Sequence, residues 1–365
     1  MKVKLGDLIE EYSERNIDNK YKPVAVGKYG IRARESIYSK ELAKDYSKNK
    51  LIYKGTLTIG MGSNQIDIGI LRDDKIYSVS PAYHTYNIKI SNYDYLDYLL
   101  TANNNRMFSI YANRGSRQGK TLDLKRWLTD ELRLHDEKDQ KIIVQTLNAV
   151  KQLISQKEAE LVKLDNLIKA RFVEMFKGKY DSFKVDEKLK TTSGGTPKSS
   201  VSEYYDGGDI PWLTSGEVNY GGITKPSNYI TEKGLNNSSA KWVPENSIVI
   251  AMYGATAGKV GIVRYKTTTN QAVCSVLPND NFNQEFLRYA FQDISEELTS
   301  KAIGGGQPNI SQTIIKNSYI VDAPIEEQER FASFVKQVDK SKFAVQKSLE
   351  KTQLLFDSLM QEYFG

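Results

Sequence analysis

The sequence contains an internal repeat that involves most of its length. Residues 139–176 return in diverged form as residues 327–364, shifted by about 188 positions. Both copies have the apolar spacing of a long helix, and each follows a segment rich in glycine, tyrosine and asparagine with short strand-like runs. The repeat therefore predicts a chain in which a globular segment, a long helix, a second globular segment and a second long helix follow one another. Two similar globules held a fixed distance apart suit a two-part ligand better than a single catalytic pocket does.

Each predicted helix carries one narrow apolar stripe. The stripe recurs about every 3.5 residues, as in a coiled coil, and roughly 40 residues rising about 1.5 Å each would span about 60 Å. Gly178 is expected to end the first helix, and Pro324 to begin the second. We expect the helices to pair antiparallel, which would relate the two halves by a pseudo-twofold axis; alternatively, each helix is only the amphipathic flank of its own globule. The predicted seam consists of Ile143, Leu147, Val150, Ile154, Leu161, Ile168, Phe331, Val335, Val338, Val345, Leu349 and Phe356.

The two globules share a strand-rich pattern punctuated by glycine. Residues 248–254 (IVIAMYG) correspond to residues 57–62 (LTIGMG), and a short helix is expected at about residues 93–100. The predicted fold class is therefore mixed α+β, with two strand-rich α/β domains and two long helices. The predicted boundaries are 1–135, 136–178, 179–322 and 323–365.

Composition limits the compartment and the partners. A net charge of +6 with pI ≈ 8.9 is compatible with a polyanionic partner. No apolar signal core follows Met1, and no run approaches the roughly 18 apolar residues of a membrane span, so a cytoplasmic protein is expected. The single cysteine, Cys274, lies in an apolar run that predicts a buried structural thiol. His84 and His135 lack neighbours at ligand spacing, so no metal site is predicted.

Two glycine-containing loops come close to a nucleotide-binding motif without matching it. Residues 114–121 (RGSRQGKT) have arginine where the Gly-x-x-x-x-Gly-Lys-Ser/Thr pattern needs its first glycine, and residues 254–260 (GATAGKV) have the wrong spacing. Nucleotide hydrolysis is therefore not predicted. Such loops can still hold DNA phosphates through backbone N–H groups and the charges of Arg114, Arg117, Lys120 and Lys259.

Amide side chains occur in a further pair of glycine-containing loops. Residues 304–309 (GGGQPN) carry Gln307 and Asn309, and amides of this kind can form two hydrogen bonds with an adenine edge. The corresponding loop of the first globule retains Gly115 and Gln118. An ordinary surface loop is the alternative, but the repetition favours a binding function. No Ser/His/Asp set, Cys/His set or methyltransferase Pro-Pro-aromatic motif is visible in the sequence.

These motifs resemble those of one family. Residues 193–197 (SGGTP), followed by residues 208–217 (GDIPWLTSGE), are similar to the opening of many target recognition domains in the specificity (S) subunits of type I restriction–modification systems. Residues 324–328 (PIEEQ) resemble the entry to that family's long helix, and Gln271 with the 304–309 loop also fits. The resemblance covers essentially the whole chain but is weaker in the first globule. There Asp136 stands where the second copy has Pro324, and aspartate can still cap a helix.

The resemblance implies a DNA-reading protein that is not an enzyme. Each globule would be a target recognition domain for one half of an asymmetric, two-part sequence in double-stranded DNA, while the helices would set the gap and dock two modification (M) subunits. Motor-nuclease (R) subunits would join in the full restriction complex. S-adenosylmethionine, ATP and Mg would be bound only by those partners, with no cofactor in this chain. Guided by the resemblance, we expect DNA contacts at loop tips: Tyr29, Arg32, Arg34, Ser63, Asn64, Arg114, Arg117, Gln118, Lys120, Thr214, Ser215, Tyr253, Thr256, Lys259, Gln271, Gln307 and Asn309.

Two other functions are alternatives to this one. A coiled-coil scaffold without DNA specificity explains the helices, but it gives no reason for two duplicated, diverged globules. A stand-alone nuclease would need a catalytic set. Residues 186–188 (DEK) have the Asp-x-Lys spacing of some metal-dependent nucleases, but they lack the upstream Pro-Asp partner and are expected to be solvated surface.

Overall fold

The computed structural model describes residues 1–36, 45–114, 120–301 and 309–365, without the side chain of Arg114. The chain divides into two compact units. Unit 1 consists of Met1–Glu158 and Lys347–Gly365, and unit 2 of Ala159–Gln346. Each unit contains helices and strands, which confirms the predicted α+β class.

The elements up to the end of the first long helix are, in chain order, β1 (Lys2–Lys4), α1 (Leu5–Leu8), β2 (Ile9–Tyr12), β3 (Val24–Gly27), β4 (Gly30–Ala33), β5 (Lys50–Ile52), β6 (Thr56–Met61), β7 (Ile66–Ile70), β8 (Tyr77–Val79), β9 (His84–Ile88), α2 (Tyr93–Tyr111), β10 (Ala112–Arg114), β11 (Lys120–Leu122), α3 (Leu124–Trp127), β12 (Glu131–Arg133) and α4 (Glu137–Phe176).

The elements that follow are β13 (Ser182–Lys184), α5 (Val185–Lys188), β14 (Thr191–Ser193), β15 (Ile210–Leu213), β16 (Gly222–Ile223), β17 (Tyr229–Ile230), α6 (Glu232–Asn236), β18 (Trp242–Val243), β19 (Ile248–Ala251), β20 (Val260–Val263), β21 (Thr267–Thr269), β22 (Val273–Val276), α7 (Gln284–Asp293), α8 (Ser295–Ser300), α9 (Gln312–Lys316), β23 (Tyr319–Val321) and α10 (Ile325–Phe364).

The predicted repeat is visible in the strand order of the two units. Unit 1 contains a sheet of order β2-β9-β6-β7, and unit 2 contains the same order as β14-β22-β19-β20, extended by β16. The neighbours in the shared part are antiparallel in both units. In each unit a further short strand and a one-turn helix lead into the sheet: β1 and α1 in unit 1, β13 and α5 in unit 2. The two units therefore share a common core topology.

Unit 2 has an additional sheet that unit 1 does not repeat among the described residues. Its order is β17-β15-β21-β18, with β15 and β21 parallel. Unit 1 instead has the antiparallel hairpins β3–β4 and β10–β11. The strands outside the common core are where the units differ.

The helix α2 is longer than the sequence pattern predicted. We expected it at about residues 93–100, but it extends over Tyr93–Tyr111. The added residues 101–106 (TANNNR) are mostly polar and mostly exposed, so they show no apolar periodicity that would predict a helix. Met107 and Tyr111 are buried at the far end of the helix, so tertiary packing overrides the weak helix propensity of the asparagines.

The ends of the long helices follow from local chemistry. The side chain of Asp136 accepts a hydrogen bond of 2.8 Å from the backbone N–H of Asp139, which caps the start of α4 as predicted. Gly178 follows the last turn with φ of +72°, as expected of a helix-ending glycine. The prediction that Pro324 begins the second helix is off by one residue, because α10 starts at Ile325. Pro324 immediately precedes it, and its carbonyl accepts hydrogen bonds from the N–H groups of Glu327 and Gln328.

Within unit 2, the segments of α4 and α10 run antiparallel. The rings of Phe172 and Phe331 are 5.4 Å apart, and the ammonium group of Lys342 lies 2.6 Å from a carboxylate oxygen of Asp165. The contact position therefore moves backward along α4 as it moves forward along α10. This confirms the preferred helix direction within that unit.

The seam residues also belong to the globular cores. In unit 1, Ile143 and Leu147 are buried in one cluster with residues of the sheet, and the Phe356 ring lies 6.3 Å from that of Tyr98. In unit 2, Ile168, Phe331, Val335 and Val338 are buried with the sheet residues in another cluster. Val150 is buried as well, whereas five other predicted seam residues are only half-buried: Ile154, Leu161, Val345, Leu349 and Phe356.

Two phenylalanines of α10 provide a matched test of this packing. Phe331 is 0% exposed and contacts the rings of Phe172, Phe176 and Tyr289, whereas Phe343 is 71% exposed. We expect Phe331→Ala to lower the free energy of unfolding by about 3–5 kcal/mol because it leaves a cavity. Phe343→Ala should change it by less than about 0.5 kcal/mol. Urea unfolding followed by tryptophan fluorescence measures both, and equal shifts would contradict the assignment of Phe331 to the core.

Candidate nucleic-acid interface

Loops at one end of the unit 2 strands converge. The backbone N–H of Asn270 donates to the carbonyl of Leu213 (3.0 Å), at the end of β15. The Thr256 hydroxyl, in the loop after β19, donates to the carbonyl of Ser215 (2.7 Å). Gly195, in the loop after β14, donates through its N–H to the carbonyl of Thr269 (3.0 Å). The loops after β14, β15, β19 and β21 therefore form one continuous surface.

The glycines of the 193–197 motif are required by close packing. A Cβ atom added to Gly194 would lie 1.7 Å from the carbonyl oxygen of Thr269. A Cβ atom on Gly195 would lie 2.6 Å from the backbone of Ser239. Neither position has room for a side chain, so the motif places the following Thr196 next to the loop after β21.

Thr196 is a candidate site residue that was not among the predicted contacts. Its hydroxyl hydrogen-bonds the side-chain oxygen of Gln271, and both residues are exposed. This bond holds the predicted contact Gln271 through its oxygen and leaves its NH₂ group available. Thr196 lies within the 193–197 motif, so its position directly after Gly194 and Gly195 was the signal that could have identified it.

Glu217 organises the loop after β15. One of its carboxylate oxygens accepts from the N–H (2.8 Å) and the hydroxyl (2.9 Å) of Thr214 and from the side chain of Asn228 (2.9 Å), and the other accepts from the N–H of Ser227 (3.2 Å). The Thr214 hydroxyl hydrogen is therefore used within the loop.

Burial, and to a smaller extent the negative charge of Glu217, raises the pKa of Tyr265 to about 12, so that phenol stays protonated near neutral pH.

The loop between β19 and β20 carries three predicted contacts. Tyr253 is 36% exposed, Thr256 is tied to Ser215, and Lys259 is half-buried with its N–H donating to the carbonyl of Thr256 (2.9 Å). Gly254 has φ of +82°, which favours glycine. Asn309 is exposed, and the next residue donates its N–H to the carbonyl of Met252 at the start of this loop. The structure thus brings Asn309 close to the same surface.

The corresponding turn of unit 1, between β6 and β7, also carries predicted contacts. Ser63 and Asn64 are exposed at its tip. The ammonium group of Lys120 donates to the Ser63 carbonyl (2.6 Å) and lies 4.7 Å from the ring centroid of Phe108. The structure therefore places Lys120, which is distant in sequence, beside this turn.

The hairpin β3–β4 presents Tyr29 and Arg32. Tyr29 is 71% exposed, and the Arg32 guanidinium carbon lies 5.3 Å from its ring centroid. Arg34 follows in a 3₁₀ turn, and its guanidinium carbon lies 5.8 Å from the ring centroid of Tyr46. Three predicted contacts, Arg117, Gln118 and Gln307, and the side chain of Arg114 lie outside the described residues.

Among the described residues, the candidate thiol, the Asp-x-Lys motif, metal sites and membrane-spanning helices can each be assessed. Cys274 is buried as predicted, and burial raises the pKa of its thiol to about 12. Residues 186–188 are exposed, and Asp186 forms an ion pair with Lys316. Within the described ranges, no group of three or more His, Cys, Asp or Glu side chains is arranged to hold a metal ion. In the same part of the chain, no helix combines the length and apolarity needed to cross a bilayer.

Removing the Glu217 carboxylate should loosen the loop after β15. We expect Glu217→Ala to speed hydrogen exchange at the amides of Thr214 and Ser227 and to cost about 1–3 kcal/mol of stability, because their N–H groups lose their acceptor. The exposed Glu245, whose carboxylate has no partner among the described residues, provides the control Glu245→Ala. Unchanged exchange at Thr214 and Ser227 would show that Glu217 does not hold this loop.

Comparison with known proteins finds similarity to one family. Residues 177–354 match the model of the type I restriction modification DNA specificity domain. The MjaIX specificity subunit of a type I restriction enzyme from Methanocaldococcus jannaschii is 30% identical over 165 residues, 44% of this chain and 38% of that protein. The EcoR124I/EcoR124II specificity subunit from Escherichia coli is 25% identical over 205 residues, 54% of this chain and 51% of that protein. The chain thus spans about half the length of these relatives or less.

A solved structure shares the fold. A chain from a structure concerned with complex assembly and conformational transition of the type I restriction–modification system has a TM-score of 0.62 and 15% identity, with 99% of this chain and 96% of that chain covered. The domain match, the named relatives and the shared fold agree with the motifs at residues 193–197 and 208–217. This chain is therefore similar to the specificity subunits of type I restriction–modification systems, and its match to their DNA specificity domain covers residues 177–354.

Proposed function

We propose that this chain is the sequence-specific DNA recognition subunit of a type I restriction–modification complex. The observation that carries the proposal is the shared sheet order of the two units, with polar loops at equivalent strand ends. In unit 2 these loops form one hydrogen-bonded surface, and in unit 1 the β6–β7 turn carries Ser63 and Asn64 beside Lys120. Each unit reads one half of an asymmetric site.

The two kinds of polar group have different tasks. Lysine and arginine side chains near these loops bind phosphates, which positions the protein and makes binding dependent on salt. The amides and hydroxyls at the loop tips, such as Gln271 and Asn64, form the hydrogen bonds that distinguish bases. Two recognition units in one chain gain affinity because binding of the first raises the effective concentration of the second.

The catalytic steps belong to partner subunits. Two modification subunits, docked on the long helices, bind S-adenosylmethionine and methylate adenine, and motor-nuclease subunits that use ATP and Mg join the restriction complex. The target adenine leaves the base stack to be methylated, which takes place in the modification subunit. The chain itself binds no cofactor and works in the cytoplasm, where a single buried thiol stays reduced.

Co-expression with the neighbouring methyltransferase subunit tests the proposal. Methylated adenines in the host DNA are mapped by single-molecule sequencing with and without this chain. We expect one two-part motif that disappears when the chain is omitted. Methylation that is unchanged by the omission, together with failure to isolate a complex, would reject the proposal and favour a scaffold without DNA specificity.

The length of the helices should set the gap between the half-sites. Insertion of one helical turn, about four residues, after Glu158 adds about 5.4 Å, close to one or two base pairs at about 3.4 Å each. We expect the methylated motif to keep both half-sites and gain one or two base pairs between them. The same insertion after the exposed Asn237 is the control and should leave the gap unchanged. An active Glu158 insertion variant with the original gap would refute the role of the helices as a spacer.

A further inference from the structure

Unit 1 contains an open groove that the predicted contacts only partly describe. Its volume is about 820 Å³, and it lies among the hairpin β3–β4, the edge strand β7 and the helix α2. Residues from each element line it, and so does Lys151 of α4. The long helix, whose expected role was spacing and docking, thus contributes to a surface of the recognition unit.

Three cations of the groove have no carboxylate partner among the described residues. Lys28 and Arg32 come from the hairpin and Lys151 from α4, and all are exposed. Each of them lies beside an aromatic ring: Lys28 and Arg32 lie 5.6 and 5.3 Å from the ring centroid of Tyr29, and Lys151 lies 5.0 Å from that of Tyr98. Their charges are therefore available to an anion.

The other charged residues of the groove are already paired. Arg72 donates to carboxylate oxygens of Asp94 (2.6 Å) and Asp97 (2.7 Å). Asp73 accepts from the N–H of Lys75 (3.0 Å) and the hydroxyl of Tyr77 (2.9 Å). The acidic side chains of the lining are thus occupied, and the unpaired charges are positive.

The groove is also held in shape. Asn104 is fixed, because its amide accepts from the N–H of Ile66 (3.0 Å) and donates to the carbonyl of the same residue (2.8 Å). The hairpin is pressed onto β7, since a Cβ atom on Gly69 would lie 2.6 Å from the side chain of Ile31. The turn of the hairpin ends at Gly30, whose φ of +77° favours glycine. Lys28 and Arg32 therefore project from a supported hairpin rather than from a free loop.

We infer that this groove holds the sugar–phosphate backbone of one DNA strand, with Lys28, Arg32 and Lys151 as phosphate contacts and Tyr29 packed against the strand. The inference rests on the proposed function and deepens it. Ammonium and guanidinium groups without carboxylate partners suit phosphates, whereas the Asn104 amide of the lining is committed to the protein backbone. The groove anchors unit 1 on DNA, and the specificity of that half-site comes from other loops. Lys151 links the long helix directly to this anchor.

The salt dependence of binding tests the inference. The complex of the full chain with its methyltransferase subunit is titrated by fluorescence anisotropy with two duplexes, one carrying the methylated motif and one lacking it, at several salt concentrations. We expect each of Lys28→Ala, Arg32→Ala and Lys151→Ala to lower the slope of log K against log salt by about one and to weaken binding to both duplexes by a similar factor. The methylated motif should stay the same.

Lys54→Ala is the matched control. Lys54 is an exposed lysine of unit 1 that pairs with Asp74 at 2.8 Å and does not line the groove, so its loss should leave the slope unchanged. Wild-type slopes in all three groove variants would overturn the inference while leaving the proposed function intact. A changed methylation motif would also overturn it, because the residues would then be reading bases. A wild-type complex that binds neither duplex would reject the proposed function, and with it the groove.

Discussion

The burial of the long helices in the globular cores is the interaction on which the rest of the structure depends. A helix with one narrow apolar stripe is marginal in water, because most of the stability of such a helix comes from tertiary packing. Here Leu147 of α4 is buried in the core of unit 1, and Phe172 and Phe176 of the same helix are buried in that of unit 2. Likewise α10 supplies Phe331 to unit 2 and Phe364 to unit 1. The helices are therefore parts of the two compact units and not separate rods.

A common core with different loops gives the molecule two related but unequal loop surfaces. The shared strand order fixes which loops meet at one end of each unit. The residues of these loops differ between the units. Unit 2 has Glu217 and the hydrogen-bonded pair Thr196–Gln271, whereas unit 1 has the β3–β4 hairpin and Lys120. This arrangement is consistent with an asymmetric two-part ligand. The sequence of each loop can change without loss of the core that supports it.

Much of the fold could be predicted because its signals are local. The apolar period, the cap at Asp136 and the glycine at 178 predicted the long helices, and alternating apolar runs predicted β6, β7 and β19. The length of α2 could not be predicted in this way, because residues 101–106 gain their helical state from the burial of Met107 and Tyr111. Thr196 and Lys151 were also missed, because their neighbours at the site come from distant parts of the chain.

The sequence by itself determined the repeat, the two long helices, the strand-rich character of both globules and the resemblance to specificity subunits. Each of these depends on residue spacing or on motifs that occupy a few consecutive positions. Only the tertiary structure decided which loops share a surface, which charges are already paired and which are free. Those properties depend on contacts such as Arg72 with Asp94 and Thr256 with Ser215, whose partners are separated along the chain and meet only after the strands have paired. Spacing along a chain specifies secondary structure, whereas the availability of a side chain for a ligand is set by every neighbour that folding brings to it.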